Sequence, residues 1–400
     1  MAARHNRRTT REVETQHVPL RENLDLENLP CSIVFSAILA VISSSRPSVR
    51  FPLVFCLTFA CSFPGFSQTD KFDSLLEAGH FKQVERSLDI SKSRDAETLY
   101  LLSNIKQAFG KTDEAVDYAE KAVKADPNRA KYHLQLAGAL SDQADKVSLF
   151  KKISLAGRIR SELETSIKLE PKNTDCLMGM MMFYEEAPGI AGGSKDKARQ
   201  IAEDIGRIDA SKGYLAQARL ARRNNEKDKL EGLFLNAVKA DPTSVEALMM
   251  LANYYASDAE KKYDQAETYA KQAIAIDRSR TGPYIVSAEA AAFRQSWDKL
   301  ESLLADAERA NHDDLNPFYQ AGRTLLQLNE ELSRAERYLR KYLSQDPEGL
   351  TPSLSAAHWR LGLILEKEGR KADAIKELEE SLRLQPDFEN AKKDLKRLKG

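Results

Sequence analysis

The stretch Gly189-Ile-Ala-Gly-Gly-Ser-Lys195 comes nearest to phosphate chemistry. A phosphate loop needs a second glycine five residues after the first, then Lys and Ser or Thr, on a strand-to-helix turn. Here the second glycine is displaced, Asp196 stands where the magnesium-holding hydroxyl belongs, and a helical pattern comes before. The glycines predict instead an inserted loop that turns tightly before a helix starting near Ser194. Metal chemistry has no better footing. The six His, at 5, 17, 80, 133, 312 and 358, are scattered, and neither His-Glu-x-x-His nor Cys-x-x-Cys occurs. Gly-x-Ser-x-Gly is absent too, and the carboxylates spread along helix faces as solvated charge. We therefore expect no catalytic residue, no metal and no cofactor. A hydrolase or transferase with an unrecognised site is the alternative.

The most apolar stretch beyond residue 67 is Met178, Met180, Met181 and Met182 with Phe183 and Tyr184. Methionine fills irregular gaps, so core packing is the expected role. The other reading is an adaptable patch that, with loop residues Pro188, Gly189, Gly192 and Gly193, takes a small or lipid-like ligand. Cys176 is the only thiol after residue 67, so that part of the chain has no internal disulfide and Cys176 is expected in the core.

The elements that carry these residues repeat. Asp113-Glu-Ala-Val-Asp-Tyr-Ala-Glu-Lys-Ala-Val-Lys-Ala-Asp-Pro127 returns at 263–277, 333–347 and 372–386, with weaker copies ending at Pro171 and Pro242. A second phrase precedes several copies, clearest in His358-Trp-Arg-Leu-Gly-Leu-Ile-Leu-Glu-Lys-Glu-Gly369. Ala115, Ala119 and Ala122 share one helix face, where small side chains let neighbouring helices approach closely. Each terminal proline stops its helix, and Gly110 and Gly369 permit the turn between two helices.

This pattern resembles the tetratricopeptide repeat, two antiparallel helices in about 34 residues. The expected fold is all-α: a right-handed superhelical solenoid of about eight helix-turn-helix units with a C-terminal capping helix. Units are expected near 70–94 (degenerate), 96–129, 130–173, 174–210, 211–244, 245–280, 281–314, 315–347 and 353–387, with the cap at 388–400. A polar outer face suits that cap. The Ala-Pro-Gly-Ile-Ala-Gly-Gly loop and the stretched unit before it are similar to a group of exported bacterial repeat proteins.

The resemblance implies that first helices line a concave groove that binds another protein or a peptide. Groove candidates are Tyr100, Asn104, Arg219, Arg223, Met249, Asn253, Tyr319, Arg323, Trp359 and Leu363. Arg219 and Arg323 are expected to serve binding without supporting stability. The Lys that would pair with Asn104 or Asn253 to clamp a terminal carboxylate is missing.

Charge agrees with a protein partner: 60 basic and 60 acidic side chains cancel over 400 residues. Nucleic acid and anionic lipid are not expected as main partners. Residues 1–67 differ from the rest, with three of the four Cys, seven Arg and no Lys. Arg46 and Arg50, the apolar run 51–61 and Gly65-Phe-Ser67 make the three parts of a secretory signal at 49–67. Cleavage after Ser67 is expected, placing the mature chain in the periplasm or envelope with no membrane span. On this reading translation starts near Val49 and residues 1–48 form a non-native or disordered extension. The alternatives are a membrane hairpin built from runs 31–42 and 51–61, or a lipid anchor on Cys61.

Overall fold

The structure is a computed structural model and describes residues 68–88, 94–349 and 352–400. Apolar residues recurring every three or four positions set the helices, and among the described residues there is no strand. A short opening pair comes first, α1 (Gln68–Glu77) and α2 (Phe81–Ser87). Next, α3 (Ala96–Ala108) pairs with α4 (Thr112–Ala125), α5 (Ala130–Asp145) with α6 (Leu149–Leu169), and α7 (Thr174–Glu186) with α8 (Lys195–Ile208). Then α9 (Ala210–Arg223) pairs with α10 (Leu230–Ala240), α11 (Val245–Ala256) with α12 (Tyr263–Ile276), and α13 (Gly282–Phe293) with α14 (Trp297–Ala310). The last pairs are α15 (Asn316–Leu328) with α16 (Leu332–Tyr342) and α17 (Leu354–Lys367) with α18 (Lys371–Leu384), capped by α19 (Glu389–Lys399). The fold is an all-α superhelical solenoid. The leader, its cleavage site and Cys61 lie outside the described residues.

Local chemistry explains the starts and turns. Several first helices begin on a side-chain cap: Asp95 accepts from the Thr98 N–H, Ser244 from Ala247 and Ser353 from Ala356. The turn within most pairs uses a left-handed residue. Gly79, Gly110 and Gly369 supply it at low cost, whereas Asn225, Lys261 and Gln295 adopt the same conformation with a Cβ. The 21 residues of α6 absorb the stretch between Pro127 and Pro171.

Small residues bring the pairs together. Ala115, Ala266 and Ala374 are fully buried at helix crossings, as their spacing predicts. Gly206 of α8 and Gly213 of α9 meet backbone to backbone, so a Cβ on Gly213 would lie 2.3 Å from the Gly206 Cα. Consecutive first helices touch one another more than consecutive second helices do. The first helices therefore form the inner layer of the curve and the second helices the outer one. The array comes round far enough that α1 and α2 meet the turns leading into α13 and α15.

Candidate functional site

Near its first turn, each of five first helices places a charged residue at nearly the same register: Glu97, Lys131, Asp175, Lys212 and Glu246. Neighbours in this row pair across helices. Lys131 Nζ donates to Glu97 at 2.7 Å and to Asp73 of α1 at 3.0 Å. Lys212 Nζ donates to Asp175 at 2.8 Å. Glu246 breaks the row: half-buried, its carboxylate has no hydrogen-bond or ion-pair partner among the described residues. Burial pushes its carboxyl up to about 7, against the pull of Lys212. Burial likewise raises Asp175, with Lys212 opposing, and Glu289, with Arg323 opposing. The row was not singled out from the sequence, although aligning the first turns of successive units would have exposed it.

The groove candidates divide into two groups. Tyr100, Asn104, Tyr319, Trp359 and Leu363, named as groove candidates, are all less than a tenth exposed. Each packs against neighbours in the tightly curved inner layer. Tyr100 lies 5.4 Å from Tyr132 between ring centroids, with Lys131 over its face, and Asn104 donates to the Tyr100 carbonyl. Tyr319 meets Tyr342, and Trp359 Nε1 donates to Asp394 at 2.9 Å. The second group reaches solvent more: Asn253 is exposed, Met249 is half-buried beside Gly282, and the Arg223 side chain is half exposed.

Arg219 and Arg323 differ from expectation. Arg219 Nε donates to Glu185 at 2.8 Å and its Nη2 to Glu186, and the Glu185 side chain is only 6% exposed. Removing Arg219 would leave the buried Glu185 carboxylate with only Arg223, 3.8 Å away, so Arg219 supports the fold as well as any binding. Arg323 lies 3.9 Å from Glu289, and its Nε is buried without a hydrogen-bond partner.

The loop after α7 forms as its glycines predict. A single 3-10 turn spans Gly189–Ala191, Gly192 takes φ +99°, and Ser194 caps α8 by accepting from the Lys197 N–H. A Cβ on Gly193 would sit 1.6 Å from the Ala187 carbonyl oxygen, so only glycine fits there. Met178, Met180, Met181 and Met182 are all buried in the core, so they offer no apolar surface patch. Next to the loop lies a cavity of about 540 Å³ between α8, α9 and α10. Ala198, Ala202 and Leu220 line its base, and Lys195, Glu203 and Arg223 mix both charges around it. Cys176 is fully buried, and burial pushes its thiol up to about 12, which makes it an inert core residue. Among the described residues no group of His, Cys, Asp or Glu is placed to hold a metal ion. No helix there is long and apolar enough to cross a membrane.

Tetratricopeptide-repeat family models match residues 96–129 and 319–387. The chain carries tetratricopeptide repeats. The two matches cover α3–α4 and the region from α15 to α18, and the pairs between them continue the same stacking. Yeast Tom70 aligns over 83% of this chain and 87% of its own, at 14% identity and a TM-score of 0.45. The Cut9–Hcn1 hetero-tetramer of APC/C aligns over 82% and 76%, at 14% identity and 0.43. YrrB, described as a TPR protein with an unusual peptide-binding site, aligns over 49% of this chain and 97% of its own, at 17% identity and 0.33. No curated protein is similar enough in sequence to count as a match. Repeat arrays of this kind generally bind other proteins or peptides, and their scaffold is generally non-catalytic.

Proposed function

We propose that the chain is a non-catalytic scaffold of the bacterial cell envelope that binds a partner protein or peptide along its inner face. The observation that carries this reading is the break in the inner charge row. Glu246 stands unpaired where Glu97, Lys131, Asp175 and Lys212 are paired, and Met249 and Asn253 lie one and two turns further along the same helix. A half-buried carboxylate without a partner of its own gains from a donor that a partner brings. A segment presenting Lys, Arg or a free amino group beside an apolar side chain fits that stretch. The envelope setting rests on the Arg-flanked apolar run 51–61 and the small residues at 65 and 67.

Two experiments test the two halves. Affinity isolation from native envelope fractions should enrich one protein with the wild-type chain and lose it with Glu246→Lys. A charge reversal on the outer face, Glu203→Lys, should leave the capture intact, and equal loss from both variants refutes an inner-face site. N-terminal sequencing of the native protein should start at or near Gln68, and recovery of residues 1–30 would sink the export reading.

A further inference from the structure

The opening pair touches the far side of the superhelix. His80 Nε2 lies 3.1 Å from the Ser279 carbonyl, and Arg280 donates to the Glu77 carbonyl at 3.0 Å. One unit on, Asn311 Nδ2 donates to the Gly79 carbonyl at 3.2 Å, and Arg86 makes two bonds to Asp313 at 3.0 and 2.6 Å. One unit further, Glu348 accepts from the Lys82 N–H at 2.8 Å, and Lys82 Nζ donates to the Asp346 carbonyl at 2.6 Å. Three successive inter-unit turns thus form a ledge on which a 20-residue hairpin sits.

The two attachments of this hairpin differ in kind. Towards α3 it is held by apolar packing: Phe72 and Val84 join Leu99, Tyr100, Leu101 and Ile105 in one buried cluster. No residue of the ledge belongs to that cluster. Towards the ledge the contacts above are all polar, and the Arg86 side chain is 53% exposed. The Arg86–Asp313 pair, open to solvent on its Arg86 side, is individually weak and is screened by salt. Glu348 is nearly fully buried, yet one of its carboxylate oxygens lacks a hydrogen-bond partner, so the closed contact is incompletely satisfied. A solenoid contacts itself unit by unit, so small rotations at each junction between α3 and α13 add up to a large displacement at the ledge.

We propose that the α1–α2 pair is a polar clasp that holds the superhelix closed across one turn and opens without unfolding, widening access to the inner face. Only the use of that access by a partner rests on the inner-face binding proposed above. The test therefore contains no partner, and its failure leaves that reading standing.

The full chain is followed by small-angle X-ray scattering and by hydroxyl-radical oxidation of Met249, half-buried on the inner face. Raising salt from about 0.05 M to about 1 M should increase the maximum dimension and at least double Met249 oxidation. Arg86→Asp should do the same at low salt, and adding Asp313→Arg should restore the wild-type values. Hydrogen exchange should show residues 99–105 still protected in Arg86→Asp. Dimensions and oxidation that respond to neither salt nor Arg86→Asp overturn the proposal. Loss of protection at 99–105 together with α1 and α2 overturns it too, because the pair would then be unfolding, not unclasping.

Discussion

Alanine in place of glycine should have opposite effects at two helical positions of this chain. Gly157, in α6, has open space where a Cβ would go. Gly157→Ala therefore gains helix propensity, about 0.5–1 kcal/mol, with nothing to oppose it. Gly213, in α9, faces Gly206 so closely that a Cβ would lie 2.3 Å from the Gly206 Cα and 2.8 Å from its backbone nitrogen. Neither atom has a rotamer with which to step aside, so α8 and α9 must separate by roughly 1 Å to restore an ordinary carbon–carbon contact of about 3.5 Å. That shift strips contacts from Ala198, Ala202 and Ala216, all buried near the crossing. Overpacking of this kind costs about 1–3 kcal/mol, and the upper end applies because backbone is the obstacle. After the propensity gain, Gly213→Ala should be about 2–2.5 kcal/mol less stable than wild type. The two variants should then differ by at least about 2 kcal/mol. Urea unfolding followed by far-ultraviolet circular dichroism measures this, provided the slopes agree, since long arrays lose two-state behaviour. If Gly213→Ala proves as stable as Gly157→Ala, the close approach of α8 and α9 is refuted.

Three further outcomes follow from single sites. Gln295 is exposed in a left-handed turn at φ +53°, so Gln295→Gly should raise stability by about 0.5–1 kcal/mol in the same urea assay. Burial opposes ionisation of Glu267, yet Lys299, Lys271 and Arg294 hold its carboxyl down to about 2. A folded value below the unfolded one gives stability that is present above about pH 4.5 and is lost as pH falls towards 2, at most about 3 kcal/mol. Glu267→Gln should therefore lower stability at pH 7 and flatten its fall between pH 4.5 and 2, measured by urea midpoints across pH. Ala374 is fully buried beside Gly362, so Ala374→Leu should cost about 1–3 kcal/mol, and an unchanged midpoint would contradict that packing.

Much of the architecture was legible because it depends on local periodicity. The alanine spacing of 115, 119 and 122 and the prolines that end units fix helices and turns within one unit, and the structure places them accordingly. The glycine loop after α7 was legible for the same reason, since Gly192 and Gly193 answer local backbone demands. Exposure on the inner face was not. Tyr100, Tyr319 and Trp359 fall at the right register, but their burial is set by how closely the next first helix approaches. That approach, and the meeting of Arg86 with Asp313 across 227 residues, depend on small rotations summed over many units. No single unit of sequence encodes that sum. Arg219 shows the same limit, because its partners Glu185 and Glu186 sit on the preceding first helix.

The inner face is the surface proposed to meet a partner. The most direct measurement is photocross-linking in living cells, with a light-activated side chain placed either at Asn253 on the inner face or at Gln200, exposed on α8. We expect the Asn253 probe to form one protein adduct, identified by mass spectrometry and lost on Glu246→Lys, with no such adduct from Gln200. The same adduct from both positions, or one from Gln200 alone, would contradict the account and place recognition on the outer layer of the solenoid.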